Sequence, residues 1–389
     1  MSPSRFESRY SPAIILALLA ALVLVAALWV VDHGRIDKAT AVKQGPATEA
    51  EVINWKLVTT WPKNFPGLGL GPETLARTVR EMSNGRLQIH VYGAGEMVPA
   101  FGVFDAVSQG VVEMGHGASY YWTGKVPASV FFTSVPFGFT AQEINAWIHY
   151  GGGLELWREV YAPFNLLPMA GGNSGVQMAG WFNKEINSVA DLKGLKMRIP
   201  GLGGEVLSRV GGTAVTLPGG EIYTSLQTGV IDATEWVGPY NDRALGLHQI
   251  AKYYYYPGWH ETGSMLEFII NKDAFEALAE DLQAIVTTAA RAANQDMLDE
   301  YTARNNAALQ DLVENHGVEL RKLPDDVLIE LHRASDEVIA DLVANDPLAQ
   351  KVYVSFRSFL DNVTAYHHIS EQAYINARDL KDRAARPAE

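Results

Sequence analysis

The chain has 389 residues, 48% of them hydrophobic and 19% charged, which exceeds what one compact core holds and excludes disorder for its bulk. Thirty-one basic residues against 44 acidic ones give a net charge of −13, which argues against nucleic acid or an anionic membrane surface as the main partner. Without cysteine, the chain has no disulfide, thiolate metal site, cysteine nucleophile or lipid-modified N-terminal cysteine.

After Arg5 and Arg9, the uncharged run from Ser11 to Val31 has the length of a membrane-spanning helix. The basic residues before it place Met1 in the cytoplasm and the remainder outside. No small-x-small cleavage site is found at Leu28-Trp29-Val30, so residues 1–34 read either as a signal peptide or as an anchor to the inner membrane, with a periplasmic location in both cases. Residues 35–51 are small and polar and read as a tether.

Order begins at Trp55. Strands at Trp55 to Thr60, Arg86 to Tyr92 and around Val112 to Met114 alternate with helices at Pro72 to Ser83 and Phe101 to Gln109, a spacing that implies parallel strands with helical crossovers. A second α/β series follows. Its strands are expected at Val176 to Asn183, Leu195 to Pro200 and Asp232 to Val237, and its helices at Ser188 to Leu192, Gly203 to Val210 and Gly220 to Thr228. Ser264 to Asn271 reads as a further strand. From Asp273 to Gly317, residues such as Phe275, Leu278, Leu282 and Val286 recur at helical spacing.

The last helix, Pro347 to Asp382, carries Val352, Phe356, Phe359, Leu360, Val363 and Tyr366, an apolar face that a monomer must bury on itself or on a second copy. The fold class expected is therefore two-lobed α/β with an interlobe cleft and long C-terminal helices. Residues 52–175 and 238–272 form one lobe, 176–237 and 273–345 the other with its connecting helices, and 346–389 a C-terminal helix that is a candidate dimerisation element.

Enzyme signatures are mostly absent. Gly172-Asn173-Ser174-Gly175 lacks the spacing of a nucleophile elbow, His260-Glu261 has no histidine at 264, and no P-loop occurs. Gly67-Leu68-Gly69-Leu70-Gly71 has the wrong spacing for dinucleotide phosphates and reads as a flexible turn. His367-His368, adjacent on a helix, read as a solvated face.

Three segments bring polar groups onto strands or strand ends. Gly171-Gly172-Asn173-Ser174-Gly175-Val176-Gln177 passes from loop to strand, Lys196-Met197-Arg198-Ile199-Pro200 sets a cation in an apolar strand, and Thr234-Glu235-Trp236-Val237-Gly238-Pro239 sets a carboxylate beside an aromatic. A guanidinium flanked by Met197 and Ile199 must reach solvent or find a partner. Taken alone, Arg198 fits an interdomain salt bridge as well as a ligand clamp, and Glu235 fits a solvated strand end.

These segments resemble the substrate-binding proteins of tripartite ATP-independent periplasmic (TRAP) transporters, the branch that binds 2-oxo acids such as pyruvate above all, over about Trp55 to Ala377. The resemblance implies that Arg198 clamps a substrate carboxylate and that Gln177, Glu235 and the Trp236 backbone hold a metal ion beside it. It further implies contacts from Asn173 and Tyr121, with Trp181, Phe182 and Tyr240 walling the pocket. His260 reads as a structural histidine or a lip residue. The partner implied is a TRAP membrane permease, and the closest part of the family swaps C-terminal helices in a homodimer.

The chemistry agrees with that reading. A planar guanidinium donates two parallel bonds to a carboxylate, while Glu235 in the same cleft repels an anion unless it is protonated or a cation intervenes. One guanidinium against Glu235 and the substrate carboxylate leaves one negative charge, which sodium cancels; calcium is the alternative, because it prefers several oxygen ligands. The expected function is capture of a short 2-oxo or 2-hydroxy monocarboxylate and its delivery to the permease. The competing readings are an exported carboxylate-based hydrolase using Glu235 or Glu261, and a receptor lobe feeding a signalling protein.

Overall fold

The computed structural model describes residues 16–17, 19–29 and 52–380. Residues 1–51 and 52–389 are separate units. In the first, residues 16–17 and 19–29 are helical and exposed; the expected span from Ser11 to Val31 lies partly outside the described residues, among which no helix is long and apolar enough to cross a membrane.

The strands of the second unit are β1 (Ile53–Thr59), β2 (Leu87–Tyr92), β3 (Met114–Gly117), β4 (Leu166–Asn173), β5 (Gly180–Phe182), β6 (Lys196–Arg198), β7 (Thr213–Val215), β8 (Ala233–Thr234), β9 (Tyr253–Tyr256), β10 (Met265–Asn271) and β11 (Glu319–Lys322). They form two sheets, in the orders β2-β1-β3-β10-β4 and β11-β9-β5-β8-β6-β7. In the first, β1 pairs in parallel with β2 and β3, with the helices Leu70–Met82 and Val103–Ser108 as crossovers. β10 runs antiparallel between β3 and β4. All seven residues of β10, MLEFIIN, are buried, and five of them are apolar, as suits a strand covered on both faces.

In the second sheet β6 lies parallel to β7 and β8, and β5 lies antiparallel to β8 and β9. The structure differs here from the expected division of the chain. The stretch 238–272 serves both sheets, because β9 pairs with β5 and β11 in the second. Trp181 and Tyr254, partners in that ladder, stack with ring centroids 4.0 Å apart, which fixes the pairing. The chain returns to the first sheet only after Tyr256.

Three stretches carry the chain across, 174–179, 257–264 and the helical 272–318 that leads from β10 to β11, and the first two are bonded to each other. Ser174 N donates to Ser264 O at 3.0 Å, and Gln177 N donates to Glu261 O at 3.0 Å. At Gly258 a Cβ would stand 2.2 Å from the Gln177 carbonyl oxygen, so only glycine permits this approach.

The helix Glu280–His316, 37 residues long, packs on β4, on Leu70–Met82 and on the short helix Pro239–Ala244. Ala289, Ala290 and Ala293 are buried and let its backbone come close. The C-terminal helix Pro347–Ile369 is capped by Asp346, whose carboxylate accepts from Leu348 N and Ala349 N, both at 2.8 Å. It buries Ala349, Val352 and Phe356, the last against Phe139 (4.1 Å) and Trp147 (5.5 Å). Its apolar face is thus partly covered by its own chain, while Tyr366 and Ile369 are exposed.

Candidate ligand-binding site

An enclosed cavity lies where β1, β3, β6 and β8 end. It is lined by Trp61, Leu68, Tyr120, Tyr121, Ser174, Gln177, Arg198, Trp236, Val237, Glu261 and Leu266. Carboxyl ends of strands converge there from both sheets, the usual position for a ligand in open α/β folds. The space open to the centre of a water-sized sphere is about 10 Å³, room for roughly one water.

Arg198 ends β6 and is 1% exposed. Its Nη1 donates to both the backbone oxygen (3.3 Å) and Oε1 of Glu235, its Nε to Leu217 O at 3.2 Å, and its Nη2 to the Tyr121 hydroxyl at 3.1 Å. Burial is the largest influence and opposes its charge, but Glu235, Tyr121, Tyr120 and Glu261 together outweigh it and hold the guanidinium protonated. The Trp236 ring lies 5.1 Å from the guanidinium carbon, edge-on to Trp61 with centroids 6.0 Å apart.

Three buried oxygens beside this cation have no hydrogen-bond partner: Gln177 Oε1, Glu235 Oε2 and Glu261 Oε1. Orphaned buried acceptors are costly, and a set of carboxylate and amide oxygens suits a hard cation. The other oxygen of Glu261 accepts from Gln177 Nε2 (2.7 Å) and Ser264 Oγ (2.5 Å). Burial, and then Glu235, push the Glu261 carboxyl up to about 7. His260 Nε2 stands 3.4 Å from Glu235 Oε2, and Glu235, His260 and Glu261 offer ligand atoms within 4.8 Å of one another.

Asp242 supports the loop that presents Trp236. Its carboxylate accepts from Val237 N and Gly238 N, both at 3.1 Å, from Trp181 Nε1 at 3.0 Å and from the Tyr254 hydroxyl at 2.7 Å. Burial, partly offset by these bonds, pushes it up to about 6. On the other wall, Trp61 donates Nε1–H to His116 Nδ1 (2.8 Å), and His116 Nε2 pairs with Gly171 O at 2.9 Å. Burial lowers this histidine to about 4, so it is neutral with its proton on Nε2.

Of the residues expected at the site, Arg198, Tyr121, Gln177 and Trp236 line the cavity, and Glu235 is joined to it through Arg198. Four others lie elsewhere. Asn173 spans its own turn, accepting from Gly175 N (2.8 Å) and donating to Gly263 O (3.1 Å). Trp181 and Phe182, neighbours on β5, point to opposite faces, the first onto Tyr254 and the second onto Tyr255. Tyr240 turns outward, its hydroxyl donating to Glu300 at 3.1 Å and its ring facing Arg304. The segment Gly171 to Gln177 runs from strand to loop, the reverse of the expectation, because β4 continues to Asn173.

The cavity also contains residues that the sequence did not point to. Trp61 and Leu68 arrive on the loop before Leu70–Met82. The Gly67-Leu68-Gly69-Leu70-Gly71 run there is not a flexible turn: a Cβ at 67 would meet the Tyr301 hydroxyl at 2.4 Å, at 69 the Phe65 and Pro62 backbone at 2.5 Å, and at 71 Met297 at 2.6 Å. The glycines let the loop lie flat on the long helix. Tyr120 also lines the cavity, with Val237, Leu266, Ser174 of the Gly171 to Gln177 segment, and Glu261, which the sequence offered only as a hydrolytic acid. His367 is not solvated either, its Nδ1 standing 2.6 Å from Glu143 Oε1.

Residues 57–346 match the profile of DctP, bacterial extracellular solute-binding protein, family 7. The chain belongs to that family. This family 7 protein is 45% identical over 324 residues, 83% of its length and 88% of the relative's, to a monocarboxylate 2-oxoacid-binding periplasmic protein of Nostoc sp.. Its fold is similar to that of a TRAP periplasmic solute-binding protein from Colwellia psychrerythraea, solved with calcium and pyruvate, at TM-score 0.82 and 44% identity, covering 84% of this chain and 100% of the other. A counterpart from Pseudoalteromonas atlantica, solved with sodium and pyruvate, gives TM-score 0.82 and 45% identity over 84% and 99%. A family 7 protein is the solute-binding receptor of a transporter and not an enzyme, so the hydrolase reading falls.

Proposed function

We propose that this chain captures a short 2-oxo monocarboxylate, pyruvate as the prototype, together with a metal ion in the cavity around Arg198, and hands it to a TRAP permease. The observation that carries the reading is one buried guanidinium set beside three buried oxygens without partners. Arg198 would take the carboxylate, with Tyr121 orienting the guanidinium, and Gln177 Oε1, Glu235 Oε2 and the Trp236 backbone would hold the cation. The cation would neutralise the repulsion between Glu235 and the ligand. Trp236 Nε1, a buried donor without a partner, is placed to bond a ligand oxygen. The pyruvate complexes of the Colwellia and Pseudoalteromonas proteins support this choice of ligand and leave both calcium and sodium as cations.

We propose a periplasmic location, reached by an N-terminal signal or with the chain tethered to the inner membrane by that segment, a reading the family match and the Nostoc relative support. A homodimer formed through the C-terminal helices is the oligomer proposed, supported by Val354, Tyr366, Ile369 and Tyr374, all more than 60% exposed. Light scattering of residues 52–389 that finds only monomer at high concentration rejects that dimer.

Native mass spectrometry of residues 52–389, purified without added ligand and then titrated with pyruvate, tests the central reading. The result expected is one pyruvate and one metal ion per chain, released unchanged on denaturation. Stoichiometric binding of a different solute, or no metal with bound pyruvate, overturns it.

A further inference from the structure

We propose that Asn241 is a positioning residue that clasps the loop bearing Trp61 and Leu68 over the cavity, and that its two hydrogen bonds favour the closed, ligand-enclosing form over the open one; this rests on reading the cavity as a carboxylate receptor. Asn241 lies on the short helix Pro239–Ala244 and is 0% exposed. Its Nδ2 donates to Pro66 O and its Oδ1 accepts from the Tyr301 hydroxyl, both at 2.9 Å. The next residue fixes this helix to the second sheet, since Asp242 accepts from Trp181 of β5 and Tyr254 of β9. Pro66 belongs to the first sheet, on the loop from β1 to the helix Leu70–Met82. Asn241 therefore bonds across the gap that a ligand must open.

The other contacts of this loop with the second sheet lack that direction. Phe65 and Trp61 meet the Trp236 ring edge-on, with centroids 6.2 and 6.0 Å apart. Gly67 lies against Tyr301, whose hydroxyl a Cβ would meet at 2.4 Å, so loop and long helix present one surface and Asn241 is the group that docks on it. When the walls part, water can serve the Pro66 carbonyl, the Tyr301 hydroxyl and the Asn241 amide. When they close, Tyr301 is 0% and Leu68 2% exposed. An apolar side chain at 241 would then leave the hydroxyl without this acceptor and the carbonyl with the Leu68 N–H alone, at 2.7 Å. That cost falls on the closed form, because buried polar groups without partners are expensive and solvated ones are not. Trp61 and Leu68 line the cavity and Asn241 does not, so it acts on the ligand through the population of the closed form.

The test is hydrogen exchange read by mass spectrometry, with and without saturating pyruvate, alongside calorimetric titration of the chain freed of its first 51 residues, a separate unit. In the parent, pyruvate is expected to slow exchange of the amides of Leu68, Gly69, Leu70 and Gly71, which donate to carbonyls of their own loop. Asn241→Leu, close in size and without hydrogen-bonding atoms, should weaken pyruvate binding about ten-fold or more and abolish that slowing, while ligand-free parent and variant exchange there at rates within about two-fold of each other. Should Asn241→Leu not melt cooperatively, Tyr301→Phe carries the test, since it keeps the ring and removes the hydroxyl that Asn241 accepts from. Its affinity should fall about three-fold or more, with faster exchange in the bound form alone. Unchanged affinity, or exchange raised as much without pyruvate as with it, overturns the clasp and leaves the receptor reading standing. A parent chain that fails to bind pyruvate overturns both.

Discussion

Arg198 and Glu235 are ion-paired at the ends of two neighbouring parallel strands, where one is 1% and the other 0% exposed. The pairing occupies most of the guanidinium. Two N–H groups go to Glu235, one to the Leu217 carbonyl and one to the Tyr121 hydroxyl, and a guanidinium has five. A carboxylate bound in the two-pronged manner must therefore displace Glu235 or Tyr121 from one edge, and the orphaned Oε2 of Glu235 is the atom left for a cation to take up.

Arg198→Lys keeps the charge and loses the fork, since an ammonium cannot span Glu235, the Leu217 carbonyl and Tyr121 together. Pyruvate affinity is expected to fall at least about thirty-fold, roughly 2 kcal/mol or more. Calorimetry showing the lysine variant binding as tightly as the parent removes Arg198 from the clamp.

Tyr121→Phe deletes the one hydrogen bond by which the segment after β3 reaches the guanidinium, at 3.1 Å. Bonds to charged groups contribute about 1.5 to 3 kcal/mol, so pyruvate should bind about ten-fold more weakly or worse. The ring remains to pack on Phe101, at 4.8 Å, so the melting temperature should move little. A large fall in melting temperature with unchanged affinity would assign the hydroxyl to stability instead.

The parallel strands β1 and β2 were legible because Trp55, Leu57, Leu87, Ile89 and Val91 alternate with polar residues, and β10 because five of its seven residues are apolar. β4 was not, since Pro168, Gly171 and Gly172 break the strand pattern and its pairing with β10 comes from distant chain. The helix Ala141–Tyr150 carries a readable start in the sequence, the Thr140 and Glu143 capping box. At the site, Arg198 and Glu235 stood out as charges in apolar surroundings. Trp61 did not, and Glu261 did only as the acid of a hydrolase, because a glycine-packed loop and a crossing segment bring them in, and no spacing along the chain records that. Trp181 and Phe182 are set on one pocket wall by the resemblance, although neighbours on a strand point to opposite faces.

Gly69→Ala tests the loop that carries Trp61 and Leu68. Its Cβ would stand 2.5 Å from the Phe65 and Pro62 backbone, atoms that cannot step aside, so a destabilisation of about 2 kcal/mol or more is expected. Gly220→Ala, where nothing lies within 4 Å, is the control and should be neutral or slightly stabilising. Urea midpoints that fall equally for both would show that packing against the loop backbone is not the cause.

Glu267, buried in β10, accepts from the Tyr161 hydroxyl at 2.8 Å and from Trp122 Nε1; burial, partly offset by these bonds, pushes it from 4.5 up to about 7. An acid whose pKa is raised by folding holds its proton more tightly in the folded chain, so its contribution is full below about pH 4.5 and declines as the pH rises through 7. The decline amounts to about 3 kcal/mol. Glu267→Gln cannot titrate, so the stability of the parent relative to this variant should drop by that amount between about pH 4.5 and 8. Parallel pH profiles of the two proteins would show that the Glu267 carboxyl does not titrate as stated.

Tyr120 and Tyr121 wall both the inner cavity and an outer pocket of about 350 Å³ that also contains Pro200 and Gly201. With room inside for about one water, a 2-oxo acid passes the tyrosines only after the walls part. Association is then a two-step process in which the rate of parting sets a ceiling: the observed rate constant should rise with pyruvate at first and level off at high concentration, a plateau that tryptophan fluorescence in a stopped-flow instrument would detect. Escape meets the same barrier in reverse, so residence time depends on how often the walls separate as well as on how tightly the ligand is held.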